Sequence, residues 1–280
     1  MMRMPTDAER NLLAGAFDQA LPAGARGITG SQAQAIAART HLPLREVEHF
    51  ALTRGIIPER YDRNVPAISC SQQARLLDSS AAVVGLGGLG GHIVECLARL
   101  GVGRILGIDG DSFVESNLNR QVLATGEALG QPKAQQARVR VAAVNPAVEF
   151  VAYGSSFQDL APGALAGVDV VLDCLDSIPA RRGLAALCAA GGLPLIHGAI
   201  GGWSGQVGLC PPGGDLIDKL YAGEKTGVEK RLGNLPFTAA VAAHLMAARA
   251  ARLLINPDEP QTQRLLLFDL LGDDWQTIDL

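Results

Sequence analysis

Apolar and polar residues alternate most clearly between residues 81 and 108, where they predict a strand, a helix and a second strand. The apolar residues 81–84 have the pattern of a buried strand, and they lead into a run of glycines. Apolar residues then recur at helical spacing up to residue 100, and Gly101 is placed to end that helix. A second apolar strand follows at residues 104–108. This arrangement predicts a β-α-β unit with a glycine turn after its first strand.

The remainder of the chain repeats this alternation of strands and helices. Helices are predicted over residues 72–78, 137–144, 179–190 and 237–254, and strands over residues 148–153, 169–174, 194–197, 264–271 and 275–280. Glycines between residues 198 and 205 permit a change from parallel to antiparallel strands. The predicted fold class is α/β, a Rossmann-like doubly wound mixed sheet with a parallel half and an antiparallel C-terminal half. In the last helix, Val241, His244, Leu245 and Ala248 are expected to pack against the core and a second subunit.

Residues 1–58 form a separate small helical region, and residues 59–280 form the large domain. Ser31 and Gln34 suggest a capping box before a helix that ends near residue 40, and Pro43 can open a second helix. Two short helices of this kind also occur in DNA-reading proteins. Residues 1–67, however, contain eight arginines and no lysine against seven acidic residues, so the basic surface of such a reader is missing. We therefore expect a structural or dimer-supporting role for this region.

The composition sets limits on the class of protein. The chain has 280 residues, is 48% hydrophobic, and contains no apolar run approaching 18 residues, so we expect a soluble globular protein with no membrane partner. No cationic segment followed by an apolar core opens the chain, and five scattered cysteines do not suggest a disulfide framework. Both features favour a cytoplasmic location. A net charge of −4 gives no reason to expect nucleic-acid binding.

The glycine turn has the spacing of a phosphate-binding site. Gly85, Gly87, Gly88 and Gly90 join the first strand to the helix, whose free N–H groups favour an anion. Asp109 ends the second strand, 19 residues after Gly90, where a ribose-binding acid is expected. This fingerprint taken alone suggests an NAD enzyme, although such turns also serve as simple strand-to-helix joints.

Two cations shortly after this acid change the interpretation. Arg120 lies in the segment 116–121, and Lys133 ends the segment 130–133. A dinucleotide enzyme has no need of two phosphate-seeking cations there, whereas a triphosphate does need them.

Together these motifs resemble those of the ThiF/MoeB/HesA family, the ubiquitin-activating-enzyme-like adenylyltransferases of small sulfur-carrier proteins. The resemblance covers about residues 60–280 in the same order throughout. The segments that carry it are GLGGLG at 85–90, the acid pair Asp109 and Asp111, SNLNRQ at 116–121, GQPK at 130–133, DCLD at 173–176 and PLIHGAIGGWSGQVGL at 194–209.

The resemblance implies roles for individual residues. The implied ATP-binding residues are Gly85, Gly87, Gly88, Leu89, Gly90, Asp109, Asp111, Asn117, Asn119, Arg120, Gln121 and Lys133. Arg63, Arg120, Lys133 and Asp176 form the implied catalytic set, with Asp176 binding Mg²⁺ beside the triphosphate. The RYxR segment of bacterial members crosses a dimer interface, so Arg63 is expected to act in trans in a homodimer.

The implied reaction needs charge neutralisation more than a general base. A peptide C-terminal carboxylate has a pKa of about 3.5 and is already an anion at neutral pH. It must approach a triphosphate of about −4, and the catalytic cations with one Mg²⁺ supply up to about +5. The expected products are an acyl-adenylate on a carrier ending in Gly-Gly, similar to MoaD or ThiS, and pyrophosphate.

The sequence also departs from the family. It contains no C-x-x-C, so we expect no zinc, and the crossover-loop stretch 224–234 has no cysteine to receive the activated carrier. Cys210 and His197 are both expected in the core. Family members commonly have a small residue at the position of His197. Three alternatives remain open: adenylation of another carboxylate, such as a peptide or tRNA substrate, an NAD-dependent oxidoreductase, and a catalytically silent carrier-binding module.

Overall fold

The computed structural model describes residues 6–224 and 229–280, leaving out the side chains of residues 229 and 230. The helices are α1 (Asp7–Ala20), α2 (Gly30–Thr40), α3 (Leu44–Thr53), α4 (Cys70–Asp78), α5 (Gly90–Leu100), α6 (Lys133–Val144), α7 (Ile178–Gly191), α8 (Leu216–Leu220), α9 (Glu229–Leu232) and α10 (Pro236–Ile255). The strands are β1 (Gly27–Ile28), β2 (Ile57–Pro58), β3 (Ser80–Val84), β4 (Arg104–Ile108), β5 (Glu149–Tyr153), β6 (Val170–Asp173), β7 (Leu195–Gly201), β8 (Ser204–Cys210), β9 (Arg264–Asp269) and β10 (Asp274–Asp279).

The main sheet has eight strands in the order β10-β9-β8-β7-β6-β3-β4-β5. Strands β7, β6, β3, β4 and β5 run parallel, whereas β7, β8, β9 and β10 pair antiparallel with one another. The predicted fold class is confirmed. The chain runs from β3 outward through β4 to β5 and then returns to place β6 on the other side of β3. The carboxyl ends of β3 and β6 therefore flank a topological switch point, where α/β sheets open a crevice for ligands.

Helices cover both faces of the parallel half, and successive residues of β3 face opposite layers. Ala81 and Val83 belong to a core that includes residues of α5, α6 and α10. Ala82 and Val84 belong to a second core that includes residues of α7 and α8. Because β3 is buried on both faces, its sequence is continuously apolar, which explains why it was predictable.

Helix α10 lies in the first of these cores. Its buried residues are Thr238, Ala239, Ala242, Ala243, Met246, Ala247, Ala250 and Leu254. The expectation of core packing is wrong for His244 and Ala248, because both are exposed, whereas Val241 and Leu245 are half-buried at the core's margin. Packing of this helix against a second subunit stays a prediction. Alanines fill five of the eight buried positions, and Met246 and Leu254 are the larger apolar residues among them. Among the described residues, α10 is the one helix long and apolar enough to cross a membrane. This is weak evidence of a membrane span, because a helix that lines a protein core passes the same test.

The N-terminal region has a small core of its own, built by α1, α2 and α3 around Leu13, Phe17 and Ile36. Helix α1 was not predicted. The predicted cap at Ser31 is wrong by two residues, because Thr29 accepts a hydrogen bond from the backbone of Gln32 and forms a capping box with it. A division of the chain at residue 58 stays a prediction.

Candidate active site

The turn after β3 uses its glycines for two different purposes. Gly85 has φ +92°, and a Cβ there would lie 2.6 Å from the carbonyl oxygen of Cys174. A Cβ on Gly90 would lie 1.8 Å from the oxygen of Gly85, so the turn cannot form without either glycine. At Gly87 and Gly88 the nearest atoms would be side-chain atoms at 3.5 and 3.4 Å. Packing does not require glycine at these two positions, which leaves room for a ligand to approach the backbone.

A cavity of about 340 Å³ opens between this turn and the ends of β4, β6 and β7. Its lining includes Gly85, Gly87, Gly88, Leu89, Asp109, Asp111, Arg120, Gln121, Lys133 and Asp176 among the predicted site residues. The structure thus brings most of the predicted nucleotide site together at the switch point, as the crevice rule anticipates. The roles of these residues stay predictions.

Asp109 and Lys133 form the polar floor of this nucleotide cavity. Asp109 accepts hydrogen bonds from the backbone N–H groups of Leu86 (2.7 Å) and Asp111 (2.8 Å). Lys133 opens α6, and its Nζ lies 2.9 Å from Oδ2 of Asp111 and 3.9 Å from Oδ2 of Asp109. Its side chain is only 8% exposed, so a buried ammonium group points into a cavity beside a helix N-terminus. An incoming phosphate can draw this flexible cation away from the exposed Asp111 carboxylate.

The segment 116–121 supplies a further wall. Arg120 packs beside Gly88 and donates to the carbonyl oxygen of Ser116 and to Oδ1 of Asn119. Gln121 lines the cavity and is buried, yet its Oε1 has no hydrogen-bond partner. A buried amide oxygen without a partner is costly, and a ligand donor such as an adenine amino group or ribose hydroxyl would satisfy it.

The two asparagines of this segment have structural partners. Oδ1 of Asn117 accepts from the backbone of Val114 and shapes the turn, and Asn117 is not among the cavity-lining residues. Asn119 donates from Nδ2 to the carbonyl oxygen of Asn234 at 3.1 Å and so ties the segment to the start of α10. Their predicted contacts to ATP remain predictions.

Asp176 lies where the nucleotide cavity meets a much larger groove. The groove has a volume of about 1190 Å³ and runs over the antiparallel half of the sheet. It lies between residues 220–224 and 231–232 on one side and strands β8 to β10 on the other. The two cavities share Asp176, Arg181, Ala199 and Ile200. Asp176 is exposed and has no hydrogen-bond or ion-pair partner among the described residues, so its carboxylate is free to bind a cation. One carboxylate combined with phosphate oxygens and water is an arrangement that suits Mg²⁺.

Three parts of the site were not predicted. Residues 155–158, after β5, close the nucleotide cavity opposite the glycine turn. Their polar sequence gave no signal beyond that of an ordinary loop. Arg181 was also missed because an arginine in a helix usually faces solvent, whereas this one is buried at the junction of the two cavities.

The third part of the site that was not predicted is a buried polar cluster beneath the groove. It joins Asp173, Arg181, His197, Gln206 and Tyr221. Oδ2 of Asp173 lies 2.7 Å from Nδ1 of His197, and both side chains are fully buried. Burial raises the pKa of Asp173, but Arg181 and His197 more than offset this effect and leave the pKa below its usual value. Burial lowers the pKa of His197 more than Asp173 raises it, so the imidazole is neutral at pH 7. Although Asp173 ends β6 at the crevice side of the sheet, its side chain is fully buried against His197 and lines neither cavity.

Arg63 lies far from the nucleotide cavity of its own chain. Tyr61, two residues before Arg63, is fully buried against Gly101, and its hydroxyl accepts a hydrogen bond from Nδ2 of Asn145 at 2.9 Å. Gly101 follows the C-terminal end of α5, whereas the glycine turn precedes its N-terminal end. Helix α5 has 11 residues and spans about 16 Å, so Arg63 sits at the opposite end of the sheet from the predicted phosphates.

A family model described as ThiF family matches residues 61–280. This chain belongs to the ThiF family. It is 34% identical to the SAMP-activating enzyme E1 of Haloferax volcanii over 79% of this chain and 84% of that protein. It is 33% identical to the sulfur carrier protein ThiS adenylyltransferase of Escherichia coli over 79% of this chain and 90% of that protein.

The fold also matches a solved structure of E. coli MccB with ATP. The TM-score is 0.66 with 18% identity, and the match covers 97% of this chain and 86% of that chain. Membership of the ThiF family, together with relatives named as adenylyltransferases, confirms the predictions that the protein is an enzyme and an adenylyltransferase. Within the described residues, no group of three or more His, Cys, Asp or Glu side chains is arranged to hold a metal. The absence of zinc stays a prediction.

Proposed function

We propose that this ThiF-family protein adenylates the C-terminal glycine carboxylate of a small ubiquitin-like sulfur carrier, using ATP and Mg²⁺ and releasing pyrophosphate. The observation that carries the proposal is the meeting of a phosphate-suited cavity and a long groove at Asp176. An adenylyl transfer needs such a junction, because a carboxylate must reach the α-phosphorus in line with the leaving pyrophosphate. The groove is wide enough for an extended peptide tail, whereas the nucleotide cavity is lined by glycines and cations.

Each residue then has a task that its surroundings support. The N–H groups after Gly87 and Gly88 approach the phosphates, and Lys133 and Arg120 neutralise their charge. Asp176 would hold the Mg²⁺ that bridges phosphate oxygens. Gln121 would accept a hydrogen bond from the nucleoside through its partnerless oxygen. No general base is assigned, because the attacking carboxylate is already ionised at neutral pH.

The third cation of this set, Arg63, would come from a second copy of the chain. Arg63 does not line the nucleotide cavity of its own subunit, and Tyr61, two residues before it, contacts Gly101 at the far end of α5. In a two-fold symmetric homodimer each subunit would supply Arg63 to its partner's cavity, giving two shared sites.

The cysteines favour release of the adenylate over a thioester on this chain. Burial raises the pKa of Cys96, Cys174, Cys188 and Cys210, so these four side chains are thiols at neutral pH. The stretch 224–234 contains no cysteine, although residues 225–228 of it lie outside the described residues. Sulfur would therefore reach the activated carrier from another protein, and we expect the reaction in the cytoplasm.

A second candidate is adenylation of a different carboxylate, such as that of a peptide. The structural match to MccB covers 97% of the chain and so includes the N-terminal region. The sequence matches to the two sulfur-carrier relatives each cover 79% of the chain. An NAD-dependent oxidoreductase is disfavoured, because it would leave Arg120, Lys133 and Asp176 without a task.

The test is ATP–pyrophosphate exchange with purified protein and a panel of carriers that end in Gly-Gly. We expect exchange that depends on one carrier, and loss of exchange in Asp176→Ala. A carrier truncated by its last glycine serves as the matched control and should not support exchange. Binding of ATP without exchange for any carrier would overturn the sulfur-carrier substrate and favour the second candidate.

A further inference from the structure

Tyr221 is one of the points at which the crossover segment, taken as the described residues 211–224, is fixed to the body of the protein. It follows α8, and its phenol reaches the buried polar cluster beneath the groove. Building on the proposed function, we infer that Tyr221 acts as a latch that holds the crossover segment over the groove and so positions the carboxylate substrate. The latch uses His197 as its hydrogen-bond acceptor.

The hydrogen-bond directions at the phenol follow from His197, whose Nε2 also lies 3.2 Å from Nε2 of Gln206. Nδ1 of His197 donates to Asp173, so Nε2 of the neutral ring must accept. The hydroxyl of Tyr221 lies 3.0 Å from this Nε2 and donates to it. The same oxygen accepts from Nη1 of Arg181 at 2.8 Å and from Nε2 of Gln206 at 3.2 Å. One phenol thus bonds to side chains of α7, β7 and β8, and each of these contacts is lost if the segment lifts.

The backbone of the same residue is held as well. The carbonyl oxygen of Tyr221 accepts from Nη2 of Arg182 at 2.6 Å. Leu216 and Ile217, on the preceding turn of α8, are buried in the core that faces α7. The segment is therefore seated up to residue 221, and the groove-lining Glu224 depends on that seat, because its backbone N–H donates to the carbonyl oxygen of Tyr221 at 3.1 Å.

The latch also connects the crossover segment to Asp176. Arg181 donates from Nη1 to Tyr221 and from Nη2 to the carbonyl oxygen of Leu175 at 2.6 Å. Leu175 immediately precedes Asp176, so a single guanidinium group fixes both the groove cover and the turn with the metal-binding candidate. Movement of Tyr221 would change the groove first and the nucleotide cavity only through Arg181.

His197 connects the two ends of this arrangement, because Asp173 lies 2.7 Å from its Nδ1 and the Tyr221 hydroxyl lies 3.0 Å from its Nε2. The histidine is satisfied at both ring nitrogens. The side chain expected to be an ordinary core residue is thus the acceptor of the latch.

The test compares Tyr221→Phe with Tyr153→Phe. Each removes one hydroxyl group, and the Tyr153 hydroxyl has no hydrogen-bond partner within the part of the chain that the structure describes. Two readouts are needed: trypsin cleavage at Lys219, two residues before Tyr221 in the crossover segment, and exchange kinetics with the active carrier. For Tyr221→Phe we expect cleavage to become several-fold faster and the KM for the carrier to rise about tenfold, because hydrogen bonds to a charged partner are lost. The KM for ATP should stay within about twofold of wild type, and Tyr153→Phe should match wild type in both assays.

Unchanged cleavage in Tyr221→Phe would refute the latch. Equal losses in both KM values together with a lower melting temperature would also refute it, since they would indicate a purely structural role. If no carrier supports exchange by the wild-type protein, the proposed substrate is wrong, but the cleavage comparison still decides on the latch.

Discussion

Mixing two inactive variants tests whether Arg63 acts across a dimer. Arg63→Ala removes the arginine that each subunit would supply to its partner, and Asp176→Ala removes the carboxylate that each subunit would keep for itself. In a mixed dimer, the subunit with intact Asp176 faces a partner with intact Arg63, so this site is complete. The other site lacks both groups. Each mixed dimer therefore has one working site.

The expected recovery follows from random pairing. Equal amounts of the two variants give about half mixed dimers, and half of the sites in those dimers work, so activity returns to about 25% of wild type. If Arg63 served its own subunit, no combination would contain a complete site. The position of Tyr61 at the far end of α5 favours the first outcome, because about 16 Å of helix separates Arg63 from the glycine turn.

The assay is pyrophosphate exchange on variants that are coexpressed with two different affinity tags, which allows the mixed dimer to be isolated. Because one of its two sites works, the isolated mixed dimer should have about 50% of wild-type activity. The matched control replaces Arg63→Ala by Arg120→Ala. Arg120 lines the same subunit's cavity as Asp176, so this pair should not recover activity. Recovery in the control pair, or none in the Arg63 pair, would refute the trans assignment. Full activity of Arg63→Ala alone would remove Arg63 from the reaction.

Three further predictions concern the nucleotide cavity and the helix beside it. Lys133→Ala should lower kcat/KM for ATP by about 10² to 10³-fold, measured by exchange at varied ATP, because it leaves two carboxylates facing the triphosphate. Gly88→Ala should melt close to wild type but raise the KM for ATP, whereas Gly90→Ala should cost about 3 kcal/mol or more, since its Cβ would overlap a backbone oxygen. Equal melting of the two alanine variants would contradict this contrast. The hydrogen bond from Arg140 holds the pKa of Glu95 below its usual value, so the Glu95 charge stabilises the fold above the unfolded-state pKa of about 4.3. In urea titrations, Glu95→Gln should cost about 1 kcal/mol at pH 7, and the difference from wild type should disappear as pH falls through the lower folded-state pKa.

The parts of the fold that could be predicted from sequence are those fixed by local chemistry. The strand β3 is apolar because both its faces are buried, and Gly85 and Gly90 are required by contacts within their own turn. Gly101 has φ +86° and ends α5 as expected. These residues lie within about twenty positions of one another, so their spacing along the chain already contains the geometry.

The parts that could not be predicted depend on contacts between distant segments. Which face of α10 is buried depends on the sheet opposite it, and alanines occupy most of that face, whereas Val241 and Leu245 lie at its margin. The wall at residues 155–158 reaches the nucleotide cavity only because β5 lies next to β4. Nothing in the sequence distinguishes Gln121 from the other residues expected to bind ATP. The structure distinguishes it by a buried side-chain oxygen that has no hydrogen-bond partner.

Asp173 and Asp176 show how position in the fold assigns different chemistry to two similar residues three positions apart. The carboxylate of Asp173 accepts from His197 and from the backbone of Leu175, so each of its oxygens already has a donor, and the side chain is fully buried. Asp176 lies one turn further on, is exposed, and points to the junction of the two cavities. The buried acid neutralises Arg181, and Arg181 in turn holds the turn that presents the exposed acid. Replacing Asp173 would therefore keep the Asp176 carboxylate but weaken the contact of Arg181 with the turn that presents it.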